Sequence, residues 1–225
     1  MDDEMMNDTN ESQSRYEEAK MNNDMLIDVF EKFSEEEKLA VSNYIEEFVA
    51  IKDNFMADAH DGINKLGDIT LLLNALDLLM SRVGKDQAEN YRKINEMINT
   101  KGNIRKTRMN ADGEYIEEPV KEDELLEQAE HAEMEADAYL EQFADGPMSY
   151  LSDDKKEALV QCYNMMCESY DELLEDAGGK PTVYMKLMKT YMGAMFFVRD
   201  VWVMEQEDLI KTVMGLEDDE ADSEQ

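Results

Sequence analysis

Two histidines, two cysteines and three prolines in 225 residues leave little of the chemistry those side chains usually supply. Paired nucleophile–base sites and zinc sites draw heavily on His and Cys. Cys162 and Cys167 fall five residues apart in one predicted helix. That spacing separates their Cα atoms by roughly 8–9 Å, beyond disulfide reach. A reducing, intracellular setting is therefore expected. Cations are scarce as well: Lys and Arg number 22 against 55 Asp and Glu, for a net charge of −33. Such a chain repels phosphates, which excludes a tight nucleic-acid grip while leaving room for DNA to pass without sticking. Long apolar runs are missing too. In the C-terminal helix the longest is Tyr191 to Val198, after which Arg199 and Asp200 intervene. A membrane span needs about 20 apolar residues, so no membrane is expected. The opening MDDEMMNDTNES is acidic and polar, unlike a signal or transit peptide. The expected location is intracellular, without secretion through a signal peptide.

What remains is a chain rich in helical periodicity. Leu, Ile, Val and Phe make up only 21% of it, close to the composition of disordered chains. Nineteen Met and ten Tyr raise the usable apolar content enough for a folded body. Residues 1–22 read as an acidic mobile arm. A short helix with Leu26, Val29, Phe30 and Phe33 on one side follows, and Ser34 with Glu37 forms a capping box for the next. That second helix carries Leu39, Tyr44, Ile45, Phe48, Val49, Phe55 and Met56 at helical spacing. Gly67 and Asp68 suggest a stop and a start, ITLLLNALDLLMSRV is apolar nearly all round, and Gly84 suggests another end. Asp86 and Glu89 then open a helix holding Tyr91, Ile94, Met97 and Ile98.

Residues 101–121 interrupt the pattern. Asn103 to Met109 and Glu114 to Val120 read as the arms of a β-hairpin around Asp112-Gly113, with opposite charges on facing arms. Helical signals resume at Glu122, pause at Gly146-Pro147, restart at Ser152 and turn at Gly178-Gly179 and Pro181. A last helix runs from about Thr182 to Met214, and residues 216–225 form an acidic tail. The fold class expected is all-α: a bundle of six or seven helices, with one β-hairpin insertion near residues 103–120. Its helical halves are residues 23–100 and 122–215. The openings from Ser34 and Ser152, SEEEKLA and SDDKKEA, share capping chemistry, which explains their likeness without a duplication.

No reactive constellation emerges. A di-metal bundle site needs Glu three residues before His on facing helices, but Gln128 precedes His131 and Ala57 precedes His60. Calcium loops built on Gly62 or Gly113 would place Ala57 or Arg108 where Asp is required. Gly178-Gly179-Lys180 lacks the rest of a phosphate loop, and Pro181 stands where Ser or Thr belongs. No G-x-S-x-G occurs. The two cysteines sit among Tyr and Met and read as inert core thiols. The reading is therefore of a protein that is not an enzyme, with no catalytic residue, no metal and no cofactor.

Acidity is the feature that asks for a cause, because net charge of this size opposes compaction and exceeds what solubility requires. Residues 114–145 hold thirteen carboxylates and one lysine, Lys121. Glu127, Glu130, Glu133, Glu135 and Asp137 are the candidates for an acidic surface, and Arg105, Lys106, Arg108, Tyr115 and Ile116 for a partner-binding hairpin. A helical bundle with a projecting hairpin and long polar termini resembles the adaptor and connector proteins that join head and tail in tailed bacteriophages. The resemblance is one of layout and transfers no residues. It implies a structural, non-enzymatic subunit whose partners are other protein subunits, in a homo-oligomer or a larger virion assembly, located in the host cytoplasm or the virion. The alternatives are a DNA mimic that occupies a nucleic-acid-binding protein, and a scaffold or chaperone using the Met-rich last helix as its client surface.

Overall fold

A computed structural model describes residues 2–101, 105–109, 115–119, 121–145 and 151–216, with side chains described for 14–100, 121–141 and 151–216. Its helices are α1 (Asp2–Glu31), α2 (Glu35–Phe55), α3 (Gly62–Lys101), α4 (Glu122–Asp145), α5 (Asp153–Ala177) and α6 (Pro181–Met214). Among the described residues, no helix is long and apolar enough to cross a membrane.

The all-α part of the expected fold holds, with six helices; the β-hairpin insertion expected over residues 103–120 is corrected to two five-residue strands that add no layer to the helical fold. The described core comes from helices and the short connections between them. Strands β1 (Arg105–Met109) and β2 (Tyr115–Pro119) pair antiparallel only with each other, from Arg105 opposite Pro119 to Met109 opposite Tyr115. The segments RKTRM and YIEEP carry too few apolar residues to give a sheet a face that a core could cover. They form a local ladder, not a layer of the fold. The expected turn at Asp112-Gly113 lies outside the described residues, as do Gly146-Pro147 and the acidic tail beyond Leu216.

Three helix boundaries also differ from the sequence reading. The arm at residues 1–22 is helical from Asp2 and continuous with the short helix after it. Gly67 and Gly84 end nothing, because α3 runs unbroken through both. Each glycine weakens a helix by about 1 kcal/mol, which the strong helix formers and packing around it offset. Where a turn does occur it is sharp. Gly178 and Gly179 take positive φ values of 55° and 68°, and Pro181 opens α6 at the position that tolerates its missing N–H. The Ser34–Glu37 capping box is present, with Glu37 N–H donating to Ser34 Oγ at 3.2 Å and Ser34 N–H to Glu37 Oε2 at 2.9 Å.

The chain divides into two compact units. The first comprises Met1–Leu76, Leu151–Ser169 and Lys189–Gln225; the second comprises Asp77–Tyr150 and Tyr170–Met188. In the first unit the buried set is large and aromatic. Phe33, Val41 and Ala194 form a cluster that Phe30, Tyr44 and Ile45 cover, and Tyr44 meets Tyr191 edge-on at 4.9 Å. Gly193 is part of this packing, since a Cβ there would lie 2.9 Å from the Phe30 ring. Leu39 and Val49, expected on the buried stripe of α2, are exposed instead. In the second unit the cluster is made of Ala88, Ala129 and Ala132 with Tyr91 beside it.

Candidate functional site

The acidic surface is built on α4, and its geometry follows from a seam of small residues. Leu125, Ala129, Ala132 and Ala136 recur at helical spacing and are all buried. Opposite them on α3, Gly84 leaves no room for a side chain: a Cβ there would lie 3.0 Å from Ala136 Cβ and 3.1 Å from the Ala132 carbonyl. The two backbones therefore approach closely. Close approach brings α3 cations within reach of α4 carboxylates. Lys85 pairs with Asp137 at 3.2 Å, and Arg92 pairs with Glu133. Near the start of α4, Asn99 donates to Glu122 at 3.1 Å.

All five acidic candidates are exposed, on one helix. They are not equivalent. Glu133 and Asp137 are held by α3, and Glu135 lies 3.5 Å from His131 in the same helix. Glu127 and Glu130 face solvent. Helix α4 contains ten carboxylates and no lysine or arginine, so its countercharge must come from elsewhere. The side chains of Arg105, Lys106, Arg108, Tyr115 and Ile116 lie outside the described residues. His60 and His131 are exposed, and among the described residues no group of three or more His, Cys, Asp or Glu is arranged to hold a metal ion. Cys162 and Cys167 are buried free thiols, and burial pushes the Cys162 thiol up to about 12.

Two polar clusters escaped the sequence reading. In the second unit Tyr170 Oη donates to Asp86 Oδ2 at 3.0 Å and shares a 3.0 Å hydrogen bond with Tyr184 Oη. Burial, chiefly, raises both phenols, Tyr184 to about 12, so they remain protonated and act as hydrogen-bonding groups. Asp86 and Tyr184 also line an open cavity of about 160 Å³ with Glu89, Asn90, Lys93 and Lys180. In the first unit Arg15 reaches the fully buried Glu207 at 3.1 Å and Gln206 at 3.3 Å, and Gln206 donates to Thr70 at 2.8 Å. Both networks join residues far apart in sequence, and no local spacing announces them. The small-residue seam did leave a signal, in Gly84 and Ala88 four apart and Ala129, Ala132 and Ala136 at helical intervals.

No family model, curated protein or solved structure matches the chain.

Proposed function

We propose that this protein is a non-enzymatic, acidic helical interaction subunit that presents carboxylates to a neighbouring macromolecule in an assembly. One observation carries the reading: α4 bears ten carboxylates and no cation of its own, and Glu127 and Glu130 stay exposed while Glu133 and Asp137 are held by α3. A solvated helix face needs only a modest charge surplus for solubility, and a larger one carries a self-repulsion penalty. A basic partner, or a DNA passage that must not bind its cargo, turns that penalty into recognition or clearance. A ring or adaptor subunit of a virus particle, such as a head–tail connector, is the form of assembly we infer.

Native mass spectrometry of the full chain tests this directly. The expected result is a closed oligomer of several copies; Glu127→Gln with Glu130→Gln is expected to leave that oligomer and the helical circular dichroism signal in place while weakening its binding to a lysine-rich peptide several-fold. A monomer that is captured by a DNA-binding protein and released by duplex DNA would replace this reading with the DNA-mimic one.

A further inference from the structure

The helix α1 carries a second feature, unrelated to the α4 carboxylates. Its inner face is committed: Ala19, Asn23 and Phe33, which just follows it, are buried, with Phe30 packed beside Phe33. The outer face is unusual for a helix this polar. Met21, Met25 and Val29 stand at i, i+4 and i+8, one above the other, and are 58%, 61% and 44% exposed. Single exposed apolar residues need no explanation, but three in register form a continuous strip. At 100° per residue, Glu17, Glu18, Asp24 and Asp28 fall on or beside that strip, and all four are exposed. Methionine is the apolar side chain best able to repack against varied shapes.

We propose that this strip docks the apolar face of a cationic amphipathic helix supplied by a partner protein. The apolar residues of such a helix cover Met21, Met25 and Val29 in the manner of helix-on-helix packing, while its Lys or Arg residues meet the flanking carboxylates. Charge decides between this occupant and a second copy of the chain. Two copies meeting strip to strip would set Glu17, Glu18, Asp24 and Asp28 of one against the same carboxylates of the other, and like charges facing each other disfavour that particular contact. A basic helix has the complementary sign. The inference concerns a different helix from the proposed function and stands or falls separately from it.

The probe is a synthetic Leu/Lys peptide of about 18 residues with leucines at helical spacing. Its control has the same composition with the period broken. Binding to the full chain is followed through the methionine methyl resonances and by titration calorimetry. The matched peptide is expected to move the Met21 and Met25 methyl signals, and the variant Met21→Ser/Met25→Ser/Val29→Ser is expected to weaken binding at least tenfold. The broken-period peptide should bind at least tenfold more weakly than the matched one. Unmoved Met21 and Met25 signals in the unmodified protein overturn the proposal, as does undiminished binding by a folded triple variant. Absence of binding also overturns it. So does concentration-dependent self-association that the triple substitution abolishes, which would assign the strip to a second copy.

Discussion

The aromatic core of the first unit and the α3–α4 seam of the second solve the packing problem with opposite materials. The first buries bulk: Trp202, Tyr191, Phe48 and Met166 are each less than 2% exposed, and phenylalanine and tyrosine rings meet at 4.9 to 6.0 Å. At the α3–α4 seam the second buries almost nothing large and relies on Gly84, Ala88, Ala129, Ala132 and Ala136. Bulk yields transfer energy in proportion to area. Small residues yield proximity, and proximity lets α3 supply Lys85 and Arg92 to a helix that carries no lysine or arginine of its own. A strongly acidic helix can thus join a fold without a thick apolar stripe.

The largest loss is expected in the first unit. Trp202→Ala is expected to destabilise it by about 3–5 kcal/mol, through lost burial and the cavity left behind. Urea unfolding followed by circular dichroism checks this, since the substitution removes the only tryptophan. In the second unit the damaging change runs the other way, from small to large. Gly84→Leu is expected to cost about 1–3 kcal/mol by forcing α3 and α4 apart, with faster amide exchange along α4 as the readout. Tyr170→Phe removes the hydroxyl shared by Asp86 and Tyr184 and is expected to cost about 1 kcal/mol, measured by chemical denaturation.

A smaller effect sharpens the contrast through pH. Burial pushes Asp200 up to about 6, with Glu18 adding to the rise and Arg199 opposing it. Its folded form holds a proton more tightly than its unfolded form. This group therefore contributes stability as pH falls from 7 through 6 towards 4, and withdraws it at higher pH. Glu37 does the reverse: the hydrogen bond from Lys189, first, and those from Ser34 hold it down to about 2. Its contribution is present above the ordinary glutamate range and is lost as pH falls through about 2. Asp200→Asn is expected to raise the melting temperature at pH 7 and to flatten its change between pH 7 and 5, read by tryptophan fluorescence. Least of all, Arg92→Ala breaks a solvent-exposed pair and is expected to cost under about 1 kcal/mol, a loss that added salt should mask.

Much of the helical fold can be read from local pattern. The capping box at Ser34, the glycine turn before Pro181 and the carboxylate-rich stretch after Glu122 are short-range chemistry, and each stands where the sequence places it. The errors share a cause. Gly67 and Gly84 look like breaks because an isolated helix pays for glycine, and only the neighbouring helix at Gly84 shows why one is needed there. Leu39 and Val49 lie on a plausible stripe yet face solvent, since the width of a buried face is set by what packs on it.

For the candidate site, local pattern suffices to say which helix is acidic and that Glu127, Glu130, Glu133, Glu135 and Asp137 share it, because charge and helical register are local properties. That Glu133 and Asp137 are held by α3, and that Asp86, Tyr170 and Tyr184 meet, follows from the packing of one helix on another. Ion pairs and buried hydrogen bonds join residues tens of positions apart, and which of them meet depends on how closely the helices can approach.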